Sequence, residues 1–354
     1  MWYRSLLSGD EAEAYDGIRD GVLSLEREIR IPRMEYRTAA DILAKVKLDD
    51  PGIFWVKGHS VSFRAGAEHM NLSPEYIFPV KQIPEMRKQL GVRLDRLLRP
   101  AYDLDPVRAV GFVRNFIFNN VKYEKVGKSY SHEIYGILSH GIGVCEGIAK
   151  TVKCLCDALG IWCMIALSGN NPEKGIKYRH TWNIVRIGKS YYHLDATFDN
   201  SLGRNYSHAP DAASYSGNAG ATRIRYDYFN LDDKQIFRDH EPLIAPAPAC
   251  TDSAHSYYKE KKLSFAKTED VYRRALQAAK KEKPLTFHWK GGYLTRTVLD
   301  ELLAQIAKAG AERQKMPCIS LNWPQAVLHV EYVTNQQQAA VVMEQANEGE
   351  ETDV

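Results

Sequence analysis

The chain has 354 residues, 44% hydrophobic and 26% charged, an ordinary globular balance that excludes a disordered chain, a collagen and a coiled coil. Lys and Arg outnumber Asp and Glu by only 47 to 44, too small an excess for the concentrated basic face of a nucleic-acid binder. The longest apolar run, Ile161 to Leu167, is far shorter than the roughly 20 residues that cross a bilayer. The opening MWYRSLLSGDEAEAYDG lacks the apolar core of a signal peptide. Neither a membrane nor a nucleic acid is expected as a partner, and a cytoplasmic location is the default. At about 100–200 residues per domain, two or three folded units are expected.

Residues 1–104 read as a small α+β unit. Ile18, Val22, Leu25 and Ile29 recur at helical spacing, and Ile42, Leu43 and Val46 mark a second helix. Short runs at Ile53–Val56, Val61–Arg64 and Glu75–Val80 predict a small antiparallel sheet. After Pro84 comes an amphipathic helix with Met86, Leu90, Leu94 and Leu97 on one side. Its Arg87, Lys88, Arg93, Arg96 and Arg99 read as a solvated cationic face.

A second unit, 105–241, opens where Asp105 caps a helix with proline at its first position. Val121–Tyr123 reads as the start of a strand, and a Gly-, Ser- and His-rich loop then leads to Gly141-Ile-Gly-Val-Cys-Glu-Gly147. The helix after it carries Ile148, Val152, Leu155, Cys156 and Leu159 and stops at Gly160. Ile161–Leu167 predicts a buried strand. His180–Ile187 and Ser190–Thr197 predict a hairpin around Gly188-Lys189, with glycine where a type II′ turn wants it. Gly203–Ala221 reads as a mobile surface loop, and the strand pattern resumes at Tyr226–Phe229. A proline-rich link, 242–248, precedes a third unit, 250–334. Its pattern predicts a β-α-β-α-β-β sandwich, with strands near 262–266, 284–289, 316–321 and 326–333 and helices near 269–282 and 294–309. Residues 335–354 read as a disordered acidic tail.

Six cysteines, Cys145, Cys154, Cys156, Cys163, Cys250 and Cys318, show no CxxC pair and no zinc spacing. No phosphate loop, metal motif or cofactor motif is present. Most of these thiols read as small core residues. Cys145 differs, because it stands where a glycine-rich turn becomes a helix. Backbone N–H groups and the helix dipole favour an anion there, hence a thiolate. Across a two-residue turn, Trp182 faces Asp195 and His180 faces Thr197. Alternation then points His180, Trp182, Asp195 and Thr197 to one side and makes His180 and Asp195 diagonal neighbours. A carboxylate fixes the imidazole tautomer, and the other ring nitrogen handles the thiol proton. Cys145 with its own N–H as oxyanion donor, His180 and Asp195 thus form a candidate acyl-transfer triad.

The text GVCEGIAKTVKCLCDALGI (143–161), RHTWNIVRIGKSYYHLDATFDNS (179–201) and YDYFNLDDKQIFRDH (226–240) resembles the transglutaminase-like superfamily, in particular its bacterial multi-domain members. The resemblance implies a papain-like α+β core, a nucleophile helix packed on an antiparallel sheet, with flanking units similar only loosely to accessory regions. It implies Cys145 as nucleophile, His180 as base and Asp195 as its orienter. Trp182, Tyr135 and His132 are weaker candidates for lining the cleft or donating to an oxyanion, and His193 for packing beside the triad. The expected chemistry is thiol-dependent acyl transfer on a peptide or protein substrate. It would run through a thioester, with water (peptidase or amidase) or an amine (cross-linking) as acceptor. A catalytically silent binding module and a redox-sensing thiol are the rival readings.

Overall fold

The computed structural model describes residues 1–124, 127–177, 179–204, 224–334 and 341–344. The chain forms two compact units, Met1–Lys189 with Leu243–Ala247, and Ser190–Pro242 with Pro248–Val354.

The first unit begins with α1 (Trp2–Ser5), α2 (Gly9–Leu23), β1 (Ile29–Pro32), α3 (Tyr36–Asp49), β2 (Val56–Ser62), β3 (His69–Tyr76) and α4 (Ile83–Leu98). The strands form an antiparallel sheet in the order β1-β3-β2. Ile18 and Val22 of α2, Ile42, Leu43 and Val46 of α3, and Leu90 of α4 bury their side chains in one core with Phe54 and Trp55. The expected helix through Ile29 is corrected here. Leu25 takes a left-handed φ of 59° and ends the helical path, so Ile29 enters the same core from a strand. Gly21 makes room for it: a Cβ there would come within 2.5 Å of the Ile29 side chain. Ile53 and Phe54 are core residues of the loop into β2 rather than strand residues. The cationic face of α4 is partly used, since the Arg87 guanidinium lies 4.9 Å over the Trp55 ring and Arg93 donates to the Leu138 carbonyl.

The same unit continues with α5 (Pro106–Asn120), β4 (Lys122–Tyr123), β5 (Ile142–Gly143), α6 (Cys145–Ala158), β6 (Cys163–Ser168) and β7 (His180–Ile187). Asp105 caps α5 as expected, accepting the Arg108 N–H at 3.1 Å. Short strands β4 and β5 pair in parallel and bring the end of α5 beside the turn before Cys145. Ile134 and Leu138 of that intervening loop join the core built by α2, α3 and α4, so the first hundred residues support the approach to the cysteine. Strands β6 and β7 are antiparallel, with Ser168 opposite His180 and Cys163 opposite Val185. The proline-rich link is not loose: the Ile244 N–H donates to the Leu167 carbonyl at 2.9 Å. Gly188 has a φ of 62° while Lys189 stays outside the left-handed region, the type II′ pattern expected after β7.

The second unit contains β8 (Ser190–Leu194), α7 (Ala196–Arg204), β9 (Phe229–Leu231), α8 (Asp233–Ile236), α9 (Tyr257–Glu260), β10 (Ser264–Phe265), α10 (Thr268–Lys281), β11 (Leu285–Trp289), α11 (Arg296–Ala311), β12 (Met316–Asn322), β13 (Val327–Val333) and β14 (Val341–Glu344). Strand β8, expected to reach Thr197, stops at Leu194, because Asp195 starts a helix instead. Strands β8 and β9 pair antiparallel. The C-terminal part is an α/β sandwich with the sheet order β10-β11-β13-β12-β14. Val271 and Ala275 of α10 and Leu302 and Ile306 of α11 pack on Phe287, Ile319, Leu321 and Leu328. Within the expected tail, Val341–Glu344 runs parallel to β12; residues 335–340 and 345–354, like residues 205–221 of the expected loop, lie outside the described residues.

Candidate active site

Cys145 is the first residue of α6, 8% exposed, with its thiol unoxidised. The first N–H groups of a helix have no carbonyl within it, so this end of α6 is electropositive. Two glycines bring a second backbone segment against it. A Cβ on Gly147 would lie 2.5 Å from the Ser131 carbonyl oxygen, and one on Gly143 3.0 Å from it. The Val144 N–H donates to that same oxygen at 3.1 Å. Side chains larger than hydrogen would push the Ser129–His132 turn away from the thiol.

An ion network that sequence reading missed ties α6 to the loop before it and to α3. The fully buried Lys150 reaches Glu133 at 2.9 Å, Glu146 at 2.7 Å and the His132 carbonyl at 3.1 Å. Glu133 also meets Lys47 of α3 at 2.7 Å. Burial opposes the charge on Lys150, but the two glutamates outweigh it and raise its pKa. Burial likewise opposes the Glu146 charge, yet Lys150 and His132 hold that carboxyl well below the usual range. Nothing in the periodicity distinguishes Lys150 from a solvated lysine; Glu146 lies one turn back on the same helix, but Glu133 and the His132 carbonyl come from the loop before it.

His180 opens β7 and is 7% exposed. Its ring stacks on that of the buried Trp182, 5.7 Å between centroids at 19°. Asn183, on the opposite face of the strand, docks β7 on α6 by donating to the Ala149 carbonyl at 2.9 Å. One turn on, Lys153 of α6 donates to the Cys163 carbonyl at 2.9 Å, and Cys163 is paired with Val185. The two anchors show that α6 and β7 run in the same direction, so Cys145 and His180 stand at the same end of packed elements.

Asp195 belongs to the second unit and is fully buried. Its Oδ1 accepts the Thr197 N–H at 2.8 Å and the Phe198 N–H at 2.9 Å, which caps α7. Its Oδ2 lies 2.9 Å from His240 Nε2. His240 Nδ1 lies 2.9 Å from Asp239 Oδ1, and Tyr228 donates to the other Asp239 oxygen at 2.6 Å. His240 ends the third stretch of family-like text but carries no local signal of its role.

The weaker candidates take ordinary places. The Tyr135 ring packs among Phe54, Phe78, Tyr130 and His140. His132 pairs through Nδ1 with Glu146 at 3.1 Å, and its side chain is over half exposed. His193 is buried with Nε2 2.8 Å from Asp233 Oδ1. His193, Asp233 and Cys250 present three ligand-type atoms within 4.8 Å of one another, a set able to hold a metal ion. Hydrogen bonds already account for it: Asp233 bonds His193 and accepts the Cys250 N–H at 3.1 Å.

A helix that begins with cysteine, packed on an antiparallel strand that begins with histidine, forms the α+β core of this segment. Residues 99–196 match the core model of the transglutaminase-like superfamily. Two solved structures are similar. One is the crystal structure of a TGase, 12% identical over 40% of this chain and 44% of that one, with a TM-score of 0.27. The other is a candidate cysteine protease from Cytophaga hutchinsonii, 17% identical over 40% of this chain and 65% of that one, also with a TM-score of 0.27. The chain therefore spans less than two thirds of either. No curated protein matches it.

Proposed function

We propose that this chain is a thiol-dependent acyl-transfer enzyme acting on a peptide or carboxamide bond of a peptide or protein, with Cys145, His180 and Asp195 as its triad. The observation that carries the reading is the placement of Cys145, at an electropositive helix start, beside the same end of the strand that His180 opens. The superfamily match over 99–196 supports it.

His180 takes the Cys145 proton, and the sulfur forms a bond to the carbonyl carbon. The C–N bond then breaks, and the imidazolium returns its proton to the leaving amine or ammonia. The Cys145 N–H serves the oxyanion. Water, deprotonated by His180, attacks the thioester, releases the acid and restores the thiol. An amine in place of water would give a new amide. Hydrolysis is the favoured outcome, because a cross-linker loose in a cell interior would act on its own surroundings.

The test is an electrophilic thiol probe followed by peptide mass spectrometry, with and without a glutamine peptide and a primary amine. Labelling concentrated on Cys145 and suppressed by the peptide supports the reading. Formation of acid or of amine adduct identifies the acceptor. Cys145 labelled no faster than the other cysteines would overturn the enzyme reading and leave a binding module.

A further inference from the structure

We infer that His240 is the positioning residue of Asp195, held in turn by Asp239 and Tyr228; the inference rests on the triad reading above. The geometry lies entirely within the second unit. Both His240 ring nitrogens lie 2.9 Å from carboxylate oxygens, Nε2 from Asp195 and Nδ1 from Asp239. Ionised carboxylates only accept, so the ring donates from both nitrogens and is the imidazolium. Burial opposes that charge, but the two aspartates outweigh it and raise the His240 pKa. The ring plane is fixed by Phe198 and Tyr228, with centroids 4.5 and 5.5 Å away. Asp239 is itself fixed, accepting from Tyr228 at 2.6 Å and from Gln325 at 3.1 Å.

The charges explain why two carboxylates are needed. An imidazolium alone would cancel the negative charge that Asp195 owes to its catalytic partner. Two carboxylates around one imidazolium leave a net charge of about −1. Asp195 thus keeps its charge while Oδ2 is tied to His240 and Oδ1 to the α7 backbone. Neither rotation of the carboxylate nor protonation is then easy. His193 also feels the His240 charge: its pKa is lowered first by burial and further by His240.

The experiment measures iodoacetamide alkylation of Cys145 at pH 6 in the full chain, read by peptide mass spectrometry beside the melting temperature. Gln at 240 sets its amide nitrogen near the Nε2 position and still donates to Asp195. Asn sets it near Nδ1 and reaches only Asp239. His240→Asn should slow alkylation about tenfold, the effect of one charge-assisted hydrogen bond, while His240→Gln should stay within about threefold of wild type. Should both variants melt before assay, Tyr228→Phe replaces them, removing one bond to Asp239 while keeping the ring; a two- to threefold slowing is expected, on the order of one neutral hydrogen bond. Equal rates for wild type and His240→Asn, equal losses in both His240 variants, or an unchanged Tyr228→Phe would overturn the inference. A wild-type Cys145 no faster at pH 6 than a free thiol would instead remove the triad reading and the inference with it.

Discussion

Cys145→Ala removes one sulfur from a site at the edge of the core, where burial is nearly complete and the thiol forms no disulfide. Turnover of a glutamine peptide should vanish, while urea unfolding should shift by about 1 kcal/mol or less. Full activity in that variant would rule out the nucleophile. Asp195→Asn does more than alter charge. The Asn oxygen can still cap α7, which leaves its NH2 facing the Nε2–H of His240, donor against donor. The variant should lose at least about a hundredfold in kcat with KM little changed, through the wrong tautomer of the base. A KM effect alone would mean that Asp195 is only a cap. At this scale the sequence exposes Cys145 and His180 because each is the first residue of its element. Strand parity singled out Asp195 on the premise of a strand through Thr197; the strand ends at Leu194, and Asp195 stands just past it as a helix cap. His240 was not legible, since Asp195 lies 45 residues away and the adjacent Asp239 forms no recognisable pattern with it.

At the level of elements, α6 carries a cost that its apolar face conceals. Lys150→Met would fill the space of the aliphatic stem but strand Glu146 and one oxygen of Glu133 without their cation. Removal of one partner from a buried ion network costs about 3–5 kcal/mol, and the retained Lys47–Glu133 pair should hold the loss near the lower figure. Chemical denaturation measures it; a neutral or stabilising effect would show that packing, not charge, holds the turn before Cys145. The elements themselves were read well where periodicity and capping agree, as in α5 behind Asp105 and α6 behind Gly143. They were misread where a single backbone angle decided the matter. Leu25 continues an apolar helical pattern by spacing, yet its left-handed φ turns the chain into β1. β-Branched or apolar residues around 53–56 suit a strand and a buried loop equally, and only contact with the α2–α3 core separates the two.

For the molecule as a whole, buried histidines set the response to acid. His288 of β11 is 8% exposed, with Ser264 at 2.8 Å from Nδ1 and no partner for Nε2 among the described residues. Burial, then the positive charges of Arg238 and Lys259, push its pKa down to about 4. A histidine with a lowered folded pKa favours the fold above its unfolded value of about 6.5 and loses that contribution as pH falls toward 4. The stake is about 3 kcal/mol at the rate of about 1.4 kcal/mol per unit. Burial also lowers His193, which adds to the acid loss. His240 acts in the opposite sense: its raised pKa stabilises the fold below about 6.5 and is lost as pH rises through the folded value. Melting curves from pH 7 to 4 should therefore fall steeply, and His288→Gln should flatten them; an unchanged slope would show that His288 is solvated in the folded state. Four strands of the C-terminal sandwich were legible, because its turns and helix caps are local; β14 was not, since it falls in the segment read as a disordered tail. The support given to the loop before Cys145 by α2, α3 and α4 was not, because it depends on which distant apolar faces meet.

The central claim is that the Cys145 sulfur owes its reactivity to the imidazole at the start of β7. The most direct measurement is the rate of Cys145 alkylation at pH 6 in the wild-type chain against His180→Ala. The wild type should react about tenfold or more faster than the variant, which keeps only the helix start to favour its thiolate. Identical rates in the two proteins would contradict the account.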